Sequence, residues 1–201
     1  MLAFGLRHLD MGVTAKTIRG SSSEVRTAFA DWLSVEFRGG VKLVILEGLT
    51  ASGKTTLTKQ PFIVDGRPST NLEMDDFLPL SLPNAATPYL AAIDQAAMLA
   101  EVENAMSEPP LVILQGAIVW PAVKPITAGA NVRRVYLKRM MHVLPDCWVD
   151  EDCILDRECW PPTGFHRSIY RYHALQQPWL KCDVMIERIE DAPEINNQVR
   201  T

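Results

Sequence analysis

No apolar run in this chain approaches the roughly 18 residues that a membrane-spanning helix needs. The strand-like runs Leu43–Leu46 and Leu111–Leu114 are short and bounded by polar residues, glycine or proline. The apolar residues of the N-terminus are broken by Arg7, His8 and Asp10, which argues against a secretory signal. Charge of one sign is not in excess either: 20 Lys and Arg stand against 24 Asp and Glu, a net charge of −4. The basic residues are not massed in one run, so the electrostatic footprint of a nucleic-acid binder is missing. Paired C-x-x-C spacing is also missing. Cys147, Cys153, Cys159 and Cys182 have His142 and His166 nearby, but without close cysteine pairs they read as reduced thiols of a cytoplasmic enzyme and not as a zinc site. There is no internal repeat and no low-complexity tract. What remains is a 201-residue chain, 47% hydrophobic and 22% charged, which is a globular composition with enough length for a large core.

Against these absences stands one stretch, Val41 to Thr56, reading VKLVILEGLTASGKTT. Branched apolar residues lead into Gly48-Leu49-Thr50-Ala51-Ser52-Gly53-Lys54-Thr55, which meets the pattern G-x-x-x-x-G-K-[ST] (Walker A) without mismatch. Gly48 and Gly53 permit a tight turn that brings backbone N–H groups against phosphate oxygens, with Thr50, Ala51, Ser52 and Thr56 completing the cradle. Lys54 opens a helix, and its ammonium reaches the outer phosphates. Thr55 offers a hydroxyl to Mg²⁺. The helix N-terminus adds partial positive charge.

Around this stretch the chain alternates strand and helix signals, which implies a parallel sheet covered on both faces. Residues 1–40 read as an extension. Its first twenty residues show no period and are expected to be mobile. Ser21-Ser22-Ser23-Glu24 then starts an amphipathic helix over about 23–37, with Val25, Phe29, Trp32, Leu33 and Phe37 on one face. Residues 41–201 read as the principal domain. The helix after the loop runs to Gln60, and residues 62–70 read as a loop around Gly66 and Pro68. Leu72-Glu73-Met74 is a short strand ending in Asp75-Asp76-Phe77. A proline-bearing loop (Pro79, Pro83, Pro88) precedes a helix over about 88–107, closed by Pro109-Pro110. Leu111–Leu114 is a buried strand ending at Gln115-Gly116. Further strands are expected at Val132–Leu137 and Asp183–Arg188, with an exposed tail from Asp191.

The acidic pair Asp75-Asp76 falls where ligands bind in open α/β sheets, just past a strand end. A carboxylate there accepts a proton from an attacking hydroxyl or holds a metal, although aspartate also caps turns. The order GLTASGKTTL, EMDDF, LVILQGAIVW, RRVYLKRM and DVMIERI resembles the uridine kinase-like family of phosphate-loop kinases, over Val41 to Ile189. The resemblance implies an α/β fold of the phosphate-loop NTPase, nucleoside and nucleotide kinase type: a five-stranded parallel sheet flanked by helices, with a helical lid. It implies that Asp75 is the general base and that Lys54 and Arg139 act on the transferring phosphate. It also implies that Thr55, Asp75 and the residue at position 115 serve Mg²⁺. The family's third-strand motif ends in Glu-Gly; here it is Gln115-Gly116. The family's Asp-His-Pro nucleoside segment has no counterpart around Tyr89 to Asp94.

The lid is expected between Lys138 and Arg171, with Arg139, Arg157, Arg167 and Arg171 as candidates to cover the phosphate. Trp120, Tyr170, Tyr172 and His173 are candidates to line a pocket. No N-K-x-D guanine reader occurs, which favours ATP over GTP. The expectation is a cytoplasmic, ATP- and Mg²⁺-dependent kinase acting on a hydroxyl of a small molecule, nucleoside-like or other, with no nucleic-acid or membrane partner. The alternative is a nucleotide-binding protein whose transfer activity is weakened by Gln115.

Overall fold

The computed structural model describes residues 15–80, 86–108, 111–128, 130–142, 144 and 146–190. Residues 1–14, Pro83, the Pro109-Pro110 pair and the tail from Asp191 lie outside the described residues. In chain order the elements are β1 (Lys16–Gly20), α1 (Ser22–Arg38), β2 (Leu43–Glu47), α2 (Lys54–Thr58), β3 (Ile63–Val64), β4 (Arg67–Pro68), β5 (Thr70–Glu73), α3 (Tyr89–Ala92), α4 (Gln95–Ser107), β6 (Val112–Gly116), α5 (Trp120–Val123), β7 (Val132–Met140), α6 (Glu151–Leu155), α7 (Gly164–Gln176) and β8 (Val184–Ile189). No helix among the described residues is long and apolar enough to cross a membrane.

The fold is α/β: a six-stranded sheet in the order β1-β8-β7-β2-β6-β5, every pair parallel, flanked by helices. Side chains alternate across the central strand. Leu43 and Ile45 join the core under α3, α4, α5, α6 and α7. Val44 and Leu46 join the core under α1 and α2. Both faces are therefore covered, as an all-parallel sheet requires.

The expected five strands become six because β1 pairs with β8 at the sheet edge. Of its side chains only Ile18 is buried, and Lys16, Thr17 and Arg19 face water. That suits an edge strand and leaves almost no apolar signal in the sequence. The helix expected at 23–37 is α1, begun by a capping box in which Glu24 accepts from the Ser21 backbone N–H at 2.9 Å. Val25, Phe29, Trp32 and Leu33 are buried against the sheet. Arg26 of α1 donates to the Leu57 carbonyl in α2 and to the Gln60 and Pro61 carbonyls just beyond it, and lies over the Phe62 ring. The stretch read as an extension is thus tied to the elements around the loop.

Three further expectations need correction. The helix after the loop ends at Thr58, not Gln60. Residues 63–68 form a small antiparallel hairpin, with Asp65 and Gly66 at positive φ of 50° and 76°. Asp-Gly is a strong two-residue hairpin signal, since both residues tolerate the left-handed region. The helix expected over 88–107 breaks at Ile93-Asp94 into α3 and α4, because Asp94 caps α4 by accepting from the Ala97 N–H at 3.0 Å.

The segment expected to be a lid is packed onto the sheet. Ile154, Phe165 and Ile169 are buried in the core. His173 of α7 is fully buried between the Tyr136 hydroxyl and the Ala117 carbonyl, each at 2.9 Å. A carbonyl only accepts, so Nε2 carries the proton and Nδ1 accepts from Tyr136. Burial pushes His173 down to about 3. It stays neutral in the folded protein, whereas an unfolded histidine protonates near pH 6.5. Its contribution is complete above about pH 6.5 and is lost as pH falls toward 3. Unfolding free energies from denaturant titrations between pH 7 and 4 should therefore fall more steeply for the wild type than for His173→Gln, by up to ~1.4 kcal/mol per pH unit. Parallel curves would contradict the buried neutral histidine.

Candidate functional site

The Gly48–Thr55 loop joins β2 to α2 at the carboxyl edge of the sheet. Two conformational demands explain its composition. A Cβ on Gly48 would lie 2.6 Å from the Leu137 carbonyl of β7, so only glycine fits there. Gly53 sits at φ 100° in the left-handed region just before α2, and Ala51 also has positive φ, 64°. The loop closes with a turn in which the Ser52 N–H donates to the Leu49 carbonyl at 3.1 Å. Lys54 folds back over it, donating to the Gly48 and Leu49 carbonyls at 2.8 Å each. Burial pushes the Lys54 ammonium down to about 8, against the opposing pull of Asp75, Glu73, Asp150 and Glu47. Thr50, Ala51, Thr55 and Thr56 are exposed.

On one flank stand β5 and β6. In parallel register Glu73 sits beside Gln115, and Leu46 sits beside Gln115 on the other side. The Thr55 hydroxyl donates to one Glu73 oxygen at 3.0 Å, and the Gln115 amide donates to the other at 3.1 Å. The Gln115 carbonyl oxygen is buried and has no partner among the described residues. Together with Thr58, Lys59, Asn71 and Asp76 these residues line a cleft of about 410 Å³. Asp75 lies on the short 3-10 turn Met74–Phe77 and accepts from the Tyr89 hydroxyl at 2.7 Å. Burial, and then the Asp75 charge, hold the Tyr89 phenol well above its ordinary range, so Tyr89 remains the donor.

Of the residues expected to serve a metal, Thr55 and Gln115 come together, and Glu73 bridges them. Asp75 is turned to Tyr89, and its neighbour Asp76 lines the cleft with Thr55. Glu73 was missed. Its place depends on pairing: Asn71 and Glu73 stand in register with Ile113 and Gln115, which sequence spacing alone does not state. The oxygen donors available suit Mg²⁺, which takes few carboxylates and keeps several waters. Thr55, Glu73, Asp76 and the unpartnered Gln115 oxygen are the groups that would hold it.

Under the loop lies Glu47, the last residue of β2. It is buried and accepts from the Val119 and Trp120 N–H groups at 2.9 and 3.0 Å and from the Tyr172 hydroxyl at 2.9 Å, with Arg134 3.6 Å away. Trp120 lies under the Arg134 guanidinium, 4.7 Å from its ring centre. Trp120 and His173, expected at a pocket, therefore serve as framework, whereas Tyr172 both holds Glu47 and lines a pocket as expected. An apolar cleft of about 260 Å³ does lie beside them, lined by Pro88, Leu90, Ile118, Arg171, Tyr172 and Leu175 among others.

Arg139 is not on the loop: it pairs with Asp150 at 2.9 Å and Glu190 at 3.5 Å. Arg157 lies over Trp160, and Arg167 and Arg171 are exposed on α7. The arginine that does touch the loop is Arg188 of β8, whose Nε donates to the Ser52 carbonyl at 3.2 Å. The four cysteines are free thiols. Compared with known proteins, the chain matches no protein-family model and no curated protein sequence.

The contact between Glu73 and Gln115 generates a prediction. Gln115→Glu replaces a donor with a second carboxylate, so two like charges meet in a half-buried site. Without divalent cations the variant should be less stable than the wild type by about 1–3 kcal/mol. Millimolar Mg²⁺ should raise its melting temperature more than that of the wild type. Equal melting temperatures with and without Mg²⁺ would show that these oxygens do not form a cation site.

Proposed function

We propose that this chain is an ATP-dependent kinase of the uridine kinase-like type, moving the γ-phosphate of ATP to a hydroxyl of a small molecule. One observation carries the reading. Lys54, the hydrogen-bonded Thr55–Glu73–Gln115 chain and Asp75 converge at the carboxyl edge of the parallel sheet, around a loop of sequence GLTASGKT. In open α/β sheets that edge is where ligands bind.

In this reading the phosphates displace the Gly48 and Leu49 carbonyls as partners of Lys54. Its partly desolvated ammonium is then worth more than a surface lysine, because opposite charges attract more strongly in a poorly solvated site. Mg²⁺, when bound, neutralises charge on the phosphates. Asp75 takes the acceptor's hydroxyl proton as the new O–P bond forms and the bond to the β–γ bridging oxygen breaks, releasing ADP. The Tyr89 hydroxyl fixes one Asp75 oxygen and leaves the other for the acceptor. Pro88 and Leu90 bracket Tyr89 and line the apolar cleft, and in this reading that cleft seats an acceptor with an apolar face. The site of action is the cytoplasm, and neither nucleic acid nor membrane takes part.

Gln115 favours a second reading, a nucleotide-binding protein with little transfer. Glu73 argues for the first, since it supplies a carboxylate one strand away, in contact with Thr55.

ADP release measured across nucleosides, sugars and vitamins tests the reaction. With an accepted substrate, Asp75→Asn should lower turnover by roughly 10²–10⁴, with ATP affinity little changed. Asp76→Asn should instead raise the Mg²⁺ concentration needed for half-maximal rate. Near-normal turnover by Asp75→Asn, or a larger loss in turnover at saturating Mg²⁺ for Asp76→Asn, would remove Asp75 as the base.

A further inference from the structure

Two arginines stand side by side in register at the carboxyl ends of β7 and β8, Arg139 and Arg188. They are not equivalent. Arg139 is held between Asp150 and Glu190. Arg188 has no carboxylate partner among the described residues. Its Nε donates to the Ser52 carbonyl at 3.2 Å, and one terminal nitrogen donates to the Ser22 hydroxyl at 3.4 Å. Its guanidinium is so close to the loop that a Cβ on Gly53 would lie 2.7 Å from Nε. Gly53 is required by its left-handed backbone, and the Arg188 guanidinium takes up the space beside it.

A guanidinium with no acid among the described residues, wedged against the loop to which the nucleotide reading gives the phosphates, can take an anion. We propose that Arg188 is a nucleotide-binding residue, contacting the phosphate nearest the nucleoside. This inference rests on the nucleotide reading above and extends it. Position decides which phosphate is involved. The groups of the transfer site, Thr55, Glu73, Gln115 and Asp75, lie on the flank of β5 and β6. Arg188 lies on the opposite flank, on β8. A triphosphate with its γ end at Asp75 runs along the loop with its nucleoside end toward β8. The planar fork of arginine can keep the Ser52 carbonyl on one edge and take a phosphate oxygen on another.

The N-terminal unit enters the same site. Gly20 of β1 is the register partner of Arg188, and Ser22 opens α1. With its open edge covered by β1 and α1, the guanidinium is held toward the loop. This gives the sixth strand a role: it closes the nucleoside side of the phosphate site.

Binding of ATP and of ADP, each with Mg²⁺, to the wild type, Arg188→Ala and Arg188→Gln tests the proposal. Arg188→Gln keeps an N–H donor for Ser52 and the length of stem but removes the charge, so it separates phosphate contact from loop support. Both variants should weaken ATP and ADP alike, by roughly tenfold or more, the usual worth of a charged hydrogen bond. Melting temperatures measured without nucleotide check that the fold survives. Loss in Arg188→Ala with full affinity in Arg188→Gln would assign Arg188 to loop support and overturn the proposal. Unchanged affinity in both variants would overturn it alone. A wild type that binds neither nucleotide would overturn it together with the nucleotide reading. A loss confined to ATP would move the contact to the γ-phosphate and overturn the placement.

Discussion

The constraint on which the site depends is the burial of a single carboxylate, Glu47, at the end of the central strand. A carboxylate taken out of water is costly unless its oxygens are matched. Here two backbone N–H groups at the start of α5, one tyrosine hydroxyl from α7 and the Arg134 guanidinium do the matching. Those partners come from three separate elements. Satisfying one side chain therefore fixes β2, α5, β7 and α7 against each other, at the residue immediately before Gly48. The loop begins from a rigid platform, and the close approach of Gly48 to the β7 backbone continues that rigidity by one more residue.

From this follows the character of α7. Tyr172 is tied to Glu47, and His173 to Tyr136 and the Ala117 carbonyl. Successive residues on one helix thus reach the ends of β2 and β6 and the middle of β7. A helix held at both points and buried through Phe165 and Ile169 is a fixed part of the framework, and it lines the apolar cleft. At Lys54 burial dominates the shift in spite of four nearby carboxylates. An ammonium in that condition is held by loop carbonyls and gains from an anion that brings more charge.

The parts of the fold that were legible in the sequence are those whose signal is local. The run Leu43–Leu46 with its glycine loop, the Leu111–Leu114 strand and the capped, periodic helix α1 all depend on neighbours within one turn or one strand. What was hidden depends on pairing. β1 carries one buried apolar side chain and exists because β8 offers an edge. Glu73 matters because register places it beside Gln115, and Arg188 because β8 ends beside Gly53. Arg139, expected just after a strand, lies inside β7, and Asp150 and Glu190 claim its charge. The hairpin at 63–68 is different: Asp65-Gly66 states it locally, and Pro68 masked it by reading as a strand breaker.

The central claim is that the Gly48–Thr55 loop binds a nucleoside triphosphate through Lys54. The most direct measurement is a calorimetric titration of Mg²⁺-ATP into the wild type and into Lys54→Ala, with circular dichroism as the check on folding. The account predicts saturable, one-to-one binding by the wild type and affinity at least ~10-fold weaker in the variant, because a charge-assisted contact to phosphate is lost. Equal affinity of the two proteins, or no binding by a folded wild type, would contradict it.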